Sequence, residues 1–190
     1  MIIPFKSSKV KLTSPYGERT LAGKKQNHPG YDLVGVGSHD VTAVTNGRVV
    51  HSRIITDKSN PTWQWGNYVC VKGDDGRYYY YCHLKSRSVE QNQIVLAGDK
   101  LGVMGNTGYS FGAHLHFEVR EADGKTKVNP EEILGIPNVI GTYEAETQLE
   151  RDLAFLTEKG VINPPSYWLK TAPTVKHLPE LIRKVAEKIA

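Results

Sequence analysis

The sequence predicts a mainly β domain over residues 1–140, an antiparallel sheet joined by turns and loops, followed by a small α-helical module over 141–190. Two observations carry this. Before residue 140, short β-rich runs alternate with Gly, Asn, Asp and Pro punctuation, the pattern of antiparallel strands joined by turns. After it, apolar residues recur at helical spacing instead. The 190 residues suffice for one sizeable core with a small appendage.

The expected strands are Val41–Ser52, Asn67–Lys72, Arg77–His83, Asp99–Met104 and His114–Glu121, with a further strand over Tyr31–Val36. Asn67–Lys72 and Arg77–Leu84 read as a hairpin about the turn Gly73-Asp74-Asp75-Gly76. A tight turn there would set Cys70 opposite Tyr79 and Cys82 opposite Asn67. By alternation, Tyr79 and Tyr81 would share the face of His83. In the C-terminal part, Ala145–Lys159 carries Leu149, Leu153 and Leu156 at helical spacing, and Gly160 reads as its stop. Pro164-Pro165 breaks the chain before Ser166-Tyr167-Trp168-Leu169, read as one short helical turn. Leu178–Ala190 closes it with an apolar stripe of Leu181, Ile182, Val185 and Ile189.

Composition excludes several classes. The net charge of +4 lies wholly in the first 140 residues, which suits an anionic substrate but is too small an excess for nucleic-acid binding. No apolar stretch approaches bilayer length, so membrane insertion is not expected. Cys70 and Cys82 are too few for a disulfide scaffold and lack zinc-ligand spacing; they read as reduced, part-buried thiols.

The chemistry concentrates in His28 and Asp32 of H-P-G-Y-D, His83 of Y-C-H-L, and His114 and His116 of A-H-L-H-F. A catalytic Zn²⁺ takes three such ligands plus water, so the set holds three ligands and two spare imidazoles for proton work. On a strand, His114 and His116 project from one face while Leu115 and Phe117 point into the core. Pro29 and Gly30 exclude a helix at H-P-G-Y-D; His28 and Asp32 instead flank a turn that aims both side chains at one point. The glycine-rich run Gly105-Asn106-Thr107-Gly108-Tyr109-Ser110-Phe111-Gly112 reads as a loop that a substrate backbone can approach closely. Each motif alone has a bland explanation; their co-occurrence in this order points to a zinc hydrolase.

In the order H-x-x-x-D, Y-x-H-L, H-L-H-F-E the chain resembles the lysostaphin-type (M23) zinc endopeptidases, which cut peptides of bacterial peptidoglycan. Ser14–Arg19, His28–Leu33, Asn46–Val50, Gly66–Val69 and Gly105–Gly108 match family landmarks, so that the resemblance covers about residues 10–135. It implies one Zn²⁺ held by His28, Asp32 and His116, with His83 and His114 as the catalytic pair, and an antiparallel sheet with loops walling a narrow groove. Ala113, Cys82 and Ser38-His39-Asp40 depart from the family pattern without removing any of the five. With no H-E-x-x-H glutamate available, His83 and His114 must share the base and oxyanion-stabilising roles, in an order the sequence leaves open. Some relatives have lost the metal site and activate partner amidases; the alternative is thus a non-hydrolytic wall-binding or activating module, disfavoured by the complete set of five.

Of the remaining residues, His39, His51 and His177 read as ordinary surface or loop histidines. Tyr78–Tyr81 either line a saccharide or peptide groove or form a strand with two rings in and two out. Trp63 and Trp65 either wall the groove or anchor their loop, and Lys85 and Arg87 read as a solvated face. The run Leu156–Trp168 resembles a segment of phage and bacterial wall-lytic enzymes, leaving wall binding, self-association or capping for residues 141–190. The N-terminus shows no apolar h-region or cleavage site, so a bacteriolytic phage endolysin released from the host cytoplasm by holin pores or lysis is the expected identity.

Overall fold

A computed structural model describes residues 2–21, 23–145, 148–162, 168 and 178–189, leaving out the side chains of 148, 149, 151 and 152. The described residues form two compact units, Met1–Glu144 and Ala145–Ala190. In the first unit the strands are β1 (Lys9–Ser14), β2 (Gly17–Leu21), β3 (Lys24–His28), β4 (Tyr31–Val36), β5 (Asp40–Thr42), β6 (Gly47–Arg53) and β7 (Asn67–Gly73). They continue as β8 (Tyr78–Leu84), β9 (Ser86–Arg87), β10 (Ile94–Val95), β11 (Lys100–Val103), β12 (Leu115–Arg120), β13 (Lys127–Val128) and β14 (Gly141–Glu144).

The main sheet runs β10-β6-β7-β8-β12-β4-β1-β14, with β13 beside β12; β5, β11 and β9 make a second sheet, and β2–β3 a separate hairpin. Every pairing is antiparallel. Alternation packs Leu33, Val69, Val71, Tyr79, Tyr81, Leu115 and Phe117 of the main sheet against Val41 and Leu101 of the second. The buried Tyr81 hydroxyl is satisfied by the Val44 N–H at 3.0 Å. The opposite face of β7 and β8 is also covered, by a cluster of Tyr68, Cys70, Tyr80 and Cys82 beneath Trp65. Val41–Ser52 is thus two strands in two sheets rather than one: Ala43–Asn46 carries the chain across from β5 to β6.

The hairpin register differs from the tight-turn expectation by one residue. Gly73 N–H donates to Arg77 O and Gly76 takes φ +86°, leaving a three-residue loop, Asp74-Asp75-Gly76, with glycine in the left-handed position. Cys70 therefore faces Tyr80, not Tyr79. A bulge between Asn67 and Val69 then sets Asn67 opposite Leu84, not Cys82.

The 141–144 segment is the edge strand β14, paired with β1 from Lys9↔Glu144 to Leu12↔Gly141, so these four residues belong to the β unit and not to the helical module. A single helical turn, α1 (Glu131–Leu134), precedes it. The second unit holds α2 (Gln148–Glu158) and α3 (Leu178–Ile189), with Leu153, Leu156, Ile182 and Ala186 buried between them and Trp168 packed on that cluster. Gly160, at φ +70°, ends α2 as expected: its N–H reaches Thr157 O and that of Val161 reaches Leu156 O. In the expected stripe of α3 only Ile182 is buried; Leu181, Val185 and Ile189 are exposed. Pro164, Pro165, Ser166, Tyr167, Leu169 and His177 lie outside the described residues.

Two outcomes follow from this packing. A Cβ at Gly30 would sit 2.3 Å from the Phe117 carbonyl oxygen, so Gly30→Ala should cost roughly 1–3 kcal/mol, read as a lower urea midpoint. Cys70 and Cys82 have no exposed surface, and burial pushes the Cys70 thiol up to about 12. Neither should react with Ellman's reagent until denaturant is added, when both should titrate.

Candidate metal centre

Four elements deliver the five singled-out side chains to one point. His28 ends β3, Asp32 opens β4, His116 lies in β12 directly across from Asp32, and His83 is near the end of β8. His114 precedes β12 and is held by a bridge to Gly105. Asp32 Oδ1 lies 3.1 Å from His28 Nε2, 3.0 Å from His116 Nδ1 and 3.4 Å from His114 Nε2, and His28 Nε2 is 3.1 Å from His116 Nδ1. The His83 and His114 rings are 4.7 Å apart. The structure thus brings all five together, with Leu115 and Phe117 buried on the other face as expected.

Tautomers decide what these atoms can do. His28 Nδ1–H donates to Pro15 O at 2.7 Å, His83 Nδ1–H to Thr107 O at 2.8 Å, and His114 Nδ1–H to Gly112 O at 2.8 Å. A carbonyl can only accept, so the proton of each ring is fixed on the rear nitrogen and the lone pair points inward. His116 is reversed: its Nδ1 faces inward and its Nε2 faces Glu118 Oε2 at 3.5 Å. With both rings neutral, lone pairs of His28 and His116 therefore confront each other and a carboxylate oxygen at about 3 Å, an arrangement that is repulsive unless a proton or a metal cation lies among them. With ~2.0–2.1 Å bonds, tetrahedral zinc separates its ligand atoms by about 3.3 Å. His28, Asp32 and His116 fit such an ion in spacing, donor type and protonation.

The surroundings bias the charges accordingly. Burial works against ionisation of Asp32, but the contacts with His114, His116 and His28 outweigh it and hold its carboxyl well below the usual range. Arg19 donates to its other oxygen at 2.9 Å. Burial first, and then the neighbouring His116 and His114 rings, pull His83 down to about 4, so its imidazole is neutral at pH 7. Burial also opposes charge on His116, but the flanking Asp32 and Glu118 carboxylates more than reverse this.

His83 reaches the site against the strand alternation. It adopts φ +62°, beside the bulge in the β7–β8 pairing, and this turns its ring to the face of Cys82 and His116. Tyr79 and Tyr81 remain in the core and do not share its face. The expectation of two tyrosines in and two out holds, and none of Tyr78–Tyr81 lines the groove.

The glycines of the 105–112 loop serve chiefly to pack the protein on itself. A Cβ at Gly105 would lie 2.3 Å from Lys85 N, and one at Gly108 2.3 Å from Gly66 N. This close packing presses Thr107 onto the end of β8, where its Oγ1–H donates to Leu84 O and its carbonyl accepts the hydrogen bond from His83 Nδ1–H. Beyond Gly108 the same loop walls a groove of about 910 Å³ that contains the five residues. Tyr109 and Phe111 stand there in edge contact, 56% and 75% exposed, and the β2–β3 hairpin provides the facing side chains Leu21 and Gln26. Trp65 does both jobs expected of it, lining the groove and packing on Tyr68 and Tyr80. Arg87 is paired with Glu90 and lies outside the groove.

Arg19 and Glu118 were not singled out by the sequence reading. Glu118 had a signal: it is a carboxylate in an otherwise apolar strand, two residues after His116 and hence on the same face. Arg19 closes the Ser14–Arg19 landmark, but its contact with Asp32 has no local signal, because the folding of β2 back on β3 brings it there.

Comparison with known proteins bears on the family and the fold. The murein hydrolase activator NlpD of Escherichia coli K12 is 33% identical over 111 residues, covering 58% of this chain and 27% of that protein, so the chain matches about a quarter of that relative's length. Among solved structures, a mutant catalytic domain of the prophage-encoded M23 protein EnpA from Enterococcus faecalis superposes with a TM-score of 0.55 at 27% identity, over 68% of this chain and 95% of that one. The catalytic domain of the antimicrobial peptidase lysostaphin from Staphylococcus simulans does so at 0.52 and 26%, over 68% and 92%. The sequence model of peptidase family M23 matches residues 26–130, which include all five convergent side chains, and the chain belongs to that family.

Proposed function

We propose that this chain is a zinc-dependent endopeptidase that hydrolyses peptide bonds of bacterial peptidoglycan, with His28, Asp32 and His116 as metal ligands and His83 and His114 as the proton-handling pair. The observation that carries the proposal is the convergence of four imidazole lone pairs and one carboxylate, each imidazole held from behind in a single tautomer. A zinc ion in this set would polarise the scissile carbonyl and bring the pKa of its water to about 7. Arg19 donates to the Asp32 oxygen that the histidines leave free and so orients the carboxylate. His83 and His114 offer unprotonated Nε2 atoms that can accept the proton of the attacking water and return it to the leaving amine. The groove between the β2–β3 hairpin and the Tyr109–Phe111 wall suits an extended peptide.

The match to NlpD supports a second reading, an activator that engages the wall without cutting it. The full ligand and proton-handling set favours catalysis, because an activator has no use for His83 and His114 in fixed tautomers. The prophage-encoded EnpA neighbour supports a phage-lysin setting as the finer reading, and the bacterial NlpD an envelope one; in both the chain acts at the cell wall.

Digestion of purified sacculi followed by mass spectrometry of the released muropeptides tests the proposal. New amino termini at one type of peptide bond should appear, vanish with chelator and return with zinc. Absence of cleavage across several wall types by zinc-loaded protein would instead establish the activator reading. Single substitutions should separate the roles. His28→Ala, Asp32→Ala and His116→Ala should lose stoichiometric zinc by elemental analysis. His83→Ala and His114→Ala should keep it while kcat falls by about 10²–10⁴-fold.

A further inference from the structure

Glu118 is buried to 1% exposure in the middle of β12, on the face that carries His116. Burying a carboxylate is costly unless it is paired, and this one has three partners. Oε1 meets Arg120 Nε and Lys127 Nζ, and Oε2 lies 3.5 Å from His116 Nε2. His116 differs from the other three imidazoles of the site in what holds it from behind: they donate to neutral backbone carbonyls, whereas it faces a carboxylate. Its inward nitrogen is Nδ1, so its proton is on Nε2, the atom turned toward Glu118. Arg120 and Lys127 satisfy the negative charge from the far side and so leave the His116 proton on the ring. Arg120 is itself fixed by stacking, 4.5 Å from the Tyr80 ring and 5.1 Å from that of Trp65, which lines the groove.

Resting on the metal assignment above, we infer that Glu118 is a positioning residue that sets the affinity of the site for its metal by orienting His116 and making its inward nitrogen more electron-rich. A carboxylate behind a ligating imidazole fixes its tautomer and raises its basicity, and loss of such a partner typically weakens metal binding 10–100-fold. The competing role is structural: Glu118 could serve only as the internal counter-ion of Arg120 and Lys127. The two roles differ in what they predict for the metal.

The test is a zinc titration of the full chain against a chromophoric chelator, with urea midpoints measured in parallel. Glu118→Gln keeps the shape and a hydrogen-bond acceptor but removes the charge, and should raise the zinc Kd about 10–100-fold. Glu118→Asp, which keeps the charge on a shorter stem, should fall between Gln and wild type. The double variant Glu118→Gln/Lys127→Met removes one charge of each sign from the pocket and so guards against unfolding by an unpaired buried cation; it should be weakened like Glu118→Gln. Zinc Kd within twofold of wild type in the folded variants, whatever happens to the urea midpoint, would overturn the inference. Wild-type protein that binds no zinc would instead overturn the metal assignment itself.

Discussion

The inward convergence of lone pairs is the constraint around which this β unit is arranged. Nitrogen atoms of His28 and His116 and an oxygen of Asp32 stand about 3 Å apart, and in the absence of positive charge they repel one another. Each is held in place by something the fold supplies behind it: the Pro15 carbonyl, the Glu118 carboxylate and the Arg19 guanidinium. Those supports come from two stretches a hundred residues apart, the Ser14–Gly17 turn with the β2 strand that follows it, and the centre of β12. The repulsion is thus carried by the sheet pairings, and a positive ion at the centre would convert it into attraction.

The same logic explains where regular structure is abandoned. Strict alternation on β8 would send His83 into the core beside Tyr81. A left-handed residue beside a bulge places it by His114 instead, and the Thr107 carbonyl secures it there. The close glycine contacts of the 105–108 loop exist to deliver that carbonyl, so Gly66, Gly105 and Gly108 act on the site through backbone packing alone.

Much of this was legible in the sequence because it rests on local pattern. The period-2 burial of β12, the turn at Pro29-Gly30 and the stop at Gly160 are written in adjacent residues. What escaped depends on pairings that no short window contains. The cysteine register turned on whether the 73–76 turn closes on two or three residues, and the side of β8 that His83 occupies turned on one φ angle. Gly141–Glu144 follows the break in composition near residue 140 but is claimed by β1, because an exposed strand edge gains hydrogen bonds there. Arg19 carries no local mark of its contact with Asp32, which is created when β2 folds back on β3.

The two walls of the groove have a different status from its floor. The outer part of the β2–β3 hairpin and the exposed rings of Tyr109 and Phe111 contribute nothing to the main core, while the five convergent residues are anchored in the sheet or to backbone carbonyls. Side-chain changes at Leu21, Gln26, Tyr109 and Phe111 therefore leave the contacts that hold the five residues in place. On the proposed function, such changes would alter which peptide the groove takes while leaving the five residues beneath it in place.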